Sequence, residues 1–122
     1  MNEELDIFGK FLMKHFRDNA LYNLNALIEG KQKAPSLQQL QASLASLGEV
    51  EIEILKKACM DSLDSGIHDF LFALQESTDN EVGVEVIVNG ENIAKLSDGL
   101  QGELFTEDGW FSKYSEYGEP KK

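Results

Sequence analysis

The chain has 122 residues, of which 42% are hydrophobic, enough apolar content for a core and too much for a disordered chain. Its single cysteine, Cys59, excludes an internal disulfide and a cysteine-based zinc cluster, and no apolar run approaches the ~18 residues of a membrane span. The formal net charge is −11, and it is uneven: residues 1–40 hold five acids and five bases, whereas 61–108 hold twelve acids and one base, Lys95, a field that repels nucleic-acid phosphates and acidic membranes and favours cations or basic partners.

From Glu3 to about Phe16, the apolar residues Leu5, Phe8, Phe11, Leu12 and Phe16 give one helical face, and Glu3, Glu4 and Asp6 suit the positive end of the helix dipole. The pattern resumes from Ala20 to Ile28 and stops at Gly30, with a kink or fresh cap expected near Asp18 and Asn19. Lys31 to Pro35 reads as a linker. Ser36 with Gln39 has capping-box spacing and opens a helix lined by Leu37, Leu40, Leu44 and Leu47, which Gly48 ends.

Glu49 to Glu76 reads as the central helix. One stripe runs Ile52, Leu55, Cys59, Leu63, Ile67, Phe70, Leu74; a second runs Ile54, Ala58, Asp61, Ser65, His68, Phe72. Two stripes predict packing on more than one side, with a polar notch in the second face. Gly66 inside this helix costs about 1 kcal/mol relative to alanine, which close approach of another backbone would explain. The short alternation at 49–54 also fits a strand, but the helical stripes run through it.

Ser77 to Glu81 is polar. Val82 to Leu96 then reads as a β-hairpin around Asn89-Gly90, since both residues accept the positive φ of a type I′ turn. A lone hairpin is marginal in water, so its edge is where a second subunit would pair to form a homodimer. Gly99, Gly102 and Gly109 mark loops, and Asp108 is placed to cap a short helix carrying Trp110, Phe111 and Tyr114. The tail from Gly118 to Lys122 is expected to fray. The segment order predicts one α+β domain over 1–122: a helical part, 3–76, packed around the central helix, then hairpin and loops, 82–117, ending in a short aromatic segment. Its predicted core is Phe8, Leu12, Leu24, Leu40, Leu44, Leu55, Leu63, Ile67, Phe70, Leu74, Val86 and Val88.

Three groups carry chemistry. Asp61, Asp64 and His68 project from one side of the central helix and are the candidate ligands for a divalent metal; Asp69 lies beside them, and a neutral His68 polarised by a carboxylate would serve as a general base. The plainer reading of this group is a solvated polar face. The loop Ser97–Glu103 lacks the lysine of a phosphate-binding loop, and its acids oppose phosphate. The aromatics Phe105, Trp110, Phe111, Tyr114 and Tyr117 are interleaved with acids, the wrong sign for single-stranded nucleic acid; they either close the core or offer anchors to a protein partner.

HDFLFALQE with SDGLQGEL and DGW, after FRDNAL and APSLQQL, resembles a group of small bacterial proteins that carry no assigned activity. The resemblance covers about Phe11 to Tyr117 and implies a bacterial, single-domain, stand-alone protein; it carries over no substrate, cofactor or catalytic residue. MNEELD lacks the basic start of a signal peptide, so a cytoplasmic location is expected. The function expected is a non-enzymatic, immunity- or antitoxin-like domain that binds a basic protein and needs no cofactor. Its binding residues would come from Asp64, His68, Asp69, Asp98, Glu103, Glu107, Asp108, Trp110 and Tyr114. The alternative is a small metal-binding or hydrolytic enzyme using His68, Asp64, Asp98, Glu103 and Asp108.

Overall fold

Acidic side chains at Glu3, Glu4 and Asp6 occupy the first turn of α1 (Glu3–Leu12), where the dipole favours them. In this computed structural model, which describes residues 3–120, the helix does not break near Asp18. It widens into a π-helical segment, Met13–Asp18, and continues as α2 (Asn19–Ile28). Asp18 keeps helical dihedrals and caps nothing, because its carboxylate is engaged elsewhere. The buried seam of α1 is Leu5, Gly9 and Leu12, extended by Met13, while Phe11 is 62% exposed and Phe16 also faces out. The expected aromatic face is therefore rotated: Phe8 and Leu12 point inward, Phe11 and Phe16 do not.

α2 ends in a Schellman turn. Gly30 has φ +72°, Lys31 N–H donates to Ala26 C=O at 2.8 Å and Gly30 N–H to Leu27 C=O at 3.1 Å. Gln38 and the buried Gln41 then hold the connection by hydrogen bonds to Gln32 and Ala34. Ser36 does not cap a helix. It lies inside a 3₁₀ turn, Pro35–Leu37, that runs into α3 (Gln38–Ala45) without a side-chain cap.

Gly48 begins α4 (Glu49–Asp79), about 46 Å long at 1.5 Å per residue. Gly48 N–H donates to Glu51 Oε1 at 2.8 Å, so this glycine serves as the N-cap of the next helix. Residues 49–54 are helical rather than extended, and α4 runs three residues past Glu76. Its buried side chains are Asp64, Ile67, Leu71, Leu74 and Gln75, all in the C-terminal half. Leu71 takes the place expected of Phe70, which is exposed, as is Leu40 on α3; Leu24, Leu44, Leu55 and Leu63 are half-buried. The second stripe is not packed: Ile54, Ala58, Asp61, Ser65 and Phe72 are exposed and only His68 is half-buried. α4 is thus one wall of the core rather than its axis.

The other walls are α1 with Met13 and the segment after α4. The hairpin is minimal: β1 (Ile87–Val88) pairs antiparallel with β2 (Glu91–Asn92), with Val88 opposite Glu91. Asn89 and Gly90 have φ +50° and +82°, as a type I′ turn requires. Residues 82–86 form no strand, and Ile93–Leu96 is a 3₁₀ turn rather than the second strand. A further 3₁₀ turn, Leu100–Leu104, leads to α5 (Trp110–Tyr114), which begins at Gly109 with no cap from Asp108. Gln75 fastens this segment to α4, donating to Ala94 C=O at 2.9 Å and accepting from Leu100 N–H at 2.9 Å. The core joins Leu5, Leu12, Met13, Ile67, Leu71, Leu74, Ile93, Ala94, Leu100, Leu104, Trp110 and Phe111. Phe8, Leu63, Val86 and Val88 pack at its margin. The architecture is mainly helical, with one small hairpin.

Gly66 has no neighbour that explains it. A Cβ built there meets no heavy atom within 4 Å. Gly66→Ala should therefore stabilise the protein by about 1 kcal/mol, through helix propensity and a less flexible unfolded chain. Denaturant unfolding that shows a loss instead would mean that the glycine is needed for an approach absent from this structure.

Candidate functional site

The π-helical segment carries the charge that organises the site. Arg17 is 0% exposed. Its Nε donates to Asp64 Oδ1 at 2.8 Å and one terminal nitrogen to Asp64 Oδ2 at 3.0 Å, a two-pronged pair that spans 47 residues of sequence. The other terminal nitrogen donates to Ser115 Oγ at 2.8 Å and to Gly118 C=O. The guanidinium carbon lies 4.2 Å from the centre of the Phe111 ring. Ser115 Oγ donates in turn to Asp18 Oδ1 at 2.6 Å, and Glu116 N–H donates to Asp18 Oδ2 at 3.1 Å. The cost of burying a cation is thus offset by a carboxylate, a hydroxyl, a carbonyl and a ring face.

Above this pair opens a notch of about 340 Å³, lined by Asp61, Asp64, Ser65, His68, Asp69, Phe105, Phe111 and Pro120. It is the polar notch expected on α4. Asp64 lies at its inner side, bound to Arg17. His68 Nδ1 is 3.1 Å from Asp69 Oδ1, and its ring centre is 6.1 Å from that of Phe105. Phe105 meets Phe111 edge to face at 5.7 Å, so aromatic rings run from the exposed rim down to the buried guanidinium. Gly118 C=O and Pro120 both join this region, while Glu119 between them is exposed; Lys121 and Lys122, the end of the tail expected to fray, lie outside the described residues.

The other expected site residues are dispersed. Asp98, Glu107 and Asp108 are exposed on the loops; Glu103 is half-buried and accepts from Ser97 Oγ at 2.6 Å. Trp110 does not present itself to a partner. It is buried against Gly9 and the edge of Phe8, whose ring centre is 5.9 Å away. Tyr114 is half-buried at the core margin, with Lys10 and Lys113 near its ring. Both oxygens of Asp64 accept from Arg17. Among the described residues, no group of three or more His, Cys, Asp or Glu side chains is placed to hold a metal ion. No helix among them is long and apolar enough to cross a membrane.

Sequence reading missed Arg17, Asp18 and Ser115. Arg17 and Asp18 stand in FRDNAL, and the signal that would have found them is a charged pair in the middle of an otherwise amphipathic helix. Comparison with known proteins adds no relative: no family model, no curated protein and no solved structure matches this chain.

Proposed function

We propose that this protein is a non-enzymatic binding domain that receives a basic protein on the acidic face around the α4 notch. The carrying observation is the shortage of cationic partners for the acids of 61–108. Among the described residues, the Lys or Arg side chain that reaches them within ion-pair distance is Arg17 on Asp64, and the His68 ring lies beside Asp69. At the notch, Asp61 and Asp69 stand exposed beside the partly exposed Phe105. Such a surface combines electrostatic steering with an aromatic anchor. It also exceeds the net charge of magnitude about 2–8 that solubility asks of a small domain. Phe105 replaces the buried Trp110 as the anchor in this reading.

The test is recovery of partners from native lysate at low and high salt. Wild-type protein is compared with a variant carrying Asp61→Asn, Asp69→Asn and Phe105→Ala. Basic proteins should be retained by the wild type at low salt, released as screening rises, and lost by the variant. Recovery of the same proteins by both, or of none by either, would remove the support for this reading.

A further inference from the structure

The first half of α4 has an unpartnered apolar face. Val50 is 68% exposed and Ile54 63%, Ala58 follows on the same side, and Leu47 is exposed in the turn that leads into the helix. Val50 and Ile54 line a shallow hollow of about 350 Å³ whose remaining walls are Glu49, Glu53 and Lys57. Residues i, i+4 and i+8 share one helical face, so this is a continuous strip rather than scattered side chains.

We infer that this strip is the interface of a homodimer, in which α4 packs antiparallel against α4 of a second copy. Charge complementarity selects this occupant. The helix begins with Glu49, Glu51 and Glu53 and continues with Lys56 and Lys57. An antiparallel copy related by a twofold axis level with Leu55 sets Glu53 beside Lys57 of the second copy, and Lys57 beside Glu53 of that copy. Ile54 then lies between Ile54 and Ala58 across the axis. A twofold interface must be self-complementary in this way. A basic protein finds no comparable match here, because Lys56 and Lys57 oppose it. The acid excess lies in 61–108, whereas 47–58 holds three acids and two bases, so two copies meet there with little mutual repulsion. Ile54 and Ala58 lie on the α4 stripe that continues through Asp61 into the notch, but sedimentation of the purified protein reads the dimer with no basic partner present, so the two proposals fail separately.

Sedimentation over a wide concentration range tests the dimer. Wild-type mass should rise from one chain to two with concentration. Ile54→Asp should remain one chain throughout while keeping the wild-type circular dichroism spectrum. Glu53→Lys and Lys57→Glu should each weaken association by about tenfold, and the double variant should restore it, because the reversed pair is again complementary. Wild-type protein that stays one chain at every concentration, or an Ile54→Asp variant that dimerises as the wild type does, would overturn the inference.

Discussion

Arg17→Ala should destabilise the fold by about 3–5 kcal/mol, the usual cost of removing one partner of a buried ion pair. Most of that cost comes from the carboxylate left behind. Asp64 would be left buried without its cationic partner, and Ser115 Oγ and Gly118 C=O would lose their shared donor. Arg17→Lys should recover only part of the loss, because an ammonium cannot fork onto both Asp64 oxygens while reaching Ser115. Replacing both partners, Arg17→Met with Asp64→Leu, should cost less than the two single changes summed, since no buried charge is then orphaned. Denaturant unfolding of these variants, with each single change of the pair measured alongside, decides the matter. An Arg17→Ala cost below about 1 kcal/mol would put the pair in the class of exposed salt bridges.

Trp110→Ala should cost about 3–5 kcal/mol, as for large buried aromatics generally. It empties the space between α1 and α5 that the indole fills. The same packing makes Gly9 indispensable. A Cβ at residue 9 would lie 2.5 Å from ring atoms of Trp110, so Gly9→Ala should destabilise by about 1–3 kcal/mol through overpacking, despite alanine's better helix propensity. The sign should reverse in the Trp110→Ala background, where the propensity gain of about 1 kcal/mol is left unopposed. A Gly9→Ala penalty that is unchanged without the indole would show that some other neighbour needs the glycine.

The elements that local chemistry specifies were legible in the sequence. Gly30 ends α2 because its positive φ meets a backbone demand at that terminus, and Asn89-Gly90 sits at the turn its positive φ angles require; Gly48, expected to end α3, instead opens α4, and α3 stops at Ala45. The C-terminal half of α4 was legible in nearly the correct register, since Leu63, Ile67 and Leu74 recur at helical spacing; the error at Phe70 arose because Phe70 and Leu71 flank the Ile67–Leu74 line on opposite sides, three and four residues from Ile67, and the core lies on the Leu71 side. The face of α1 was misread for a different reason. Aromatic size suggested burial for Phe11 and Phe16, while the actual seam uses Gly9 to admit Trp110, a partner about a hundred residues away in sequence and invisible to periodicity. The π-helical segment compounds this, because its extra residue per turn shifts every later position against a 3.6-residue repeat. The notch was legible from Asp61, Asp64 and His68, but not the role of Asp64, which depends on Arg17 across a separation no local pattern encodes.

The link from Arg17 and Asp18 to residues 115–118 also bears on how long the native state persists. These bonds bridge 97 to 101 positions, so the loop they close is nearly the whole chain, and loop entropy disfavours closing it early. Interactions absent from the transition state act on escape from the native basin. Ser115→Ala should therefore leave the refolding limb of a chevron almost unmoved and raise the unfolding limb. The fold would be fastened kinetically by a clasp that forms last and opens first, and strengthening that clasp would lengthen the native lifetime without hastening its formation.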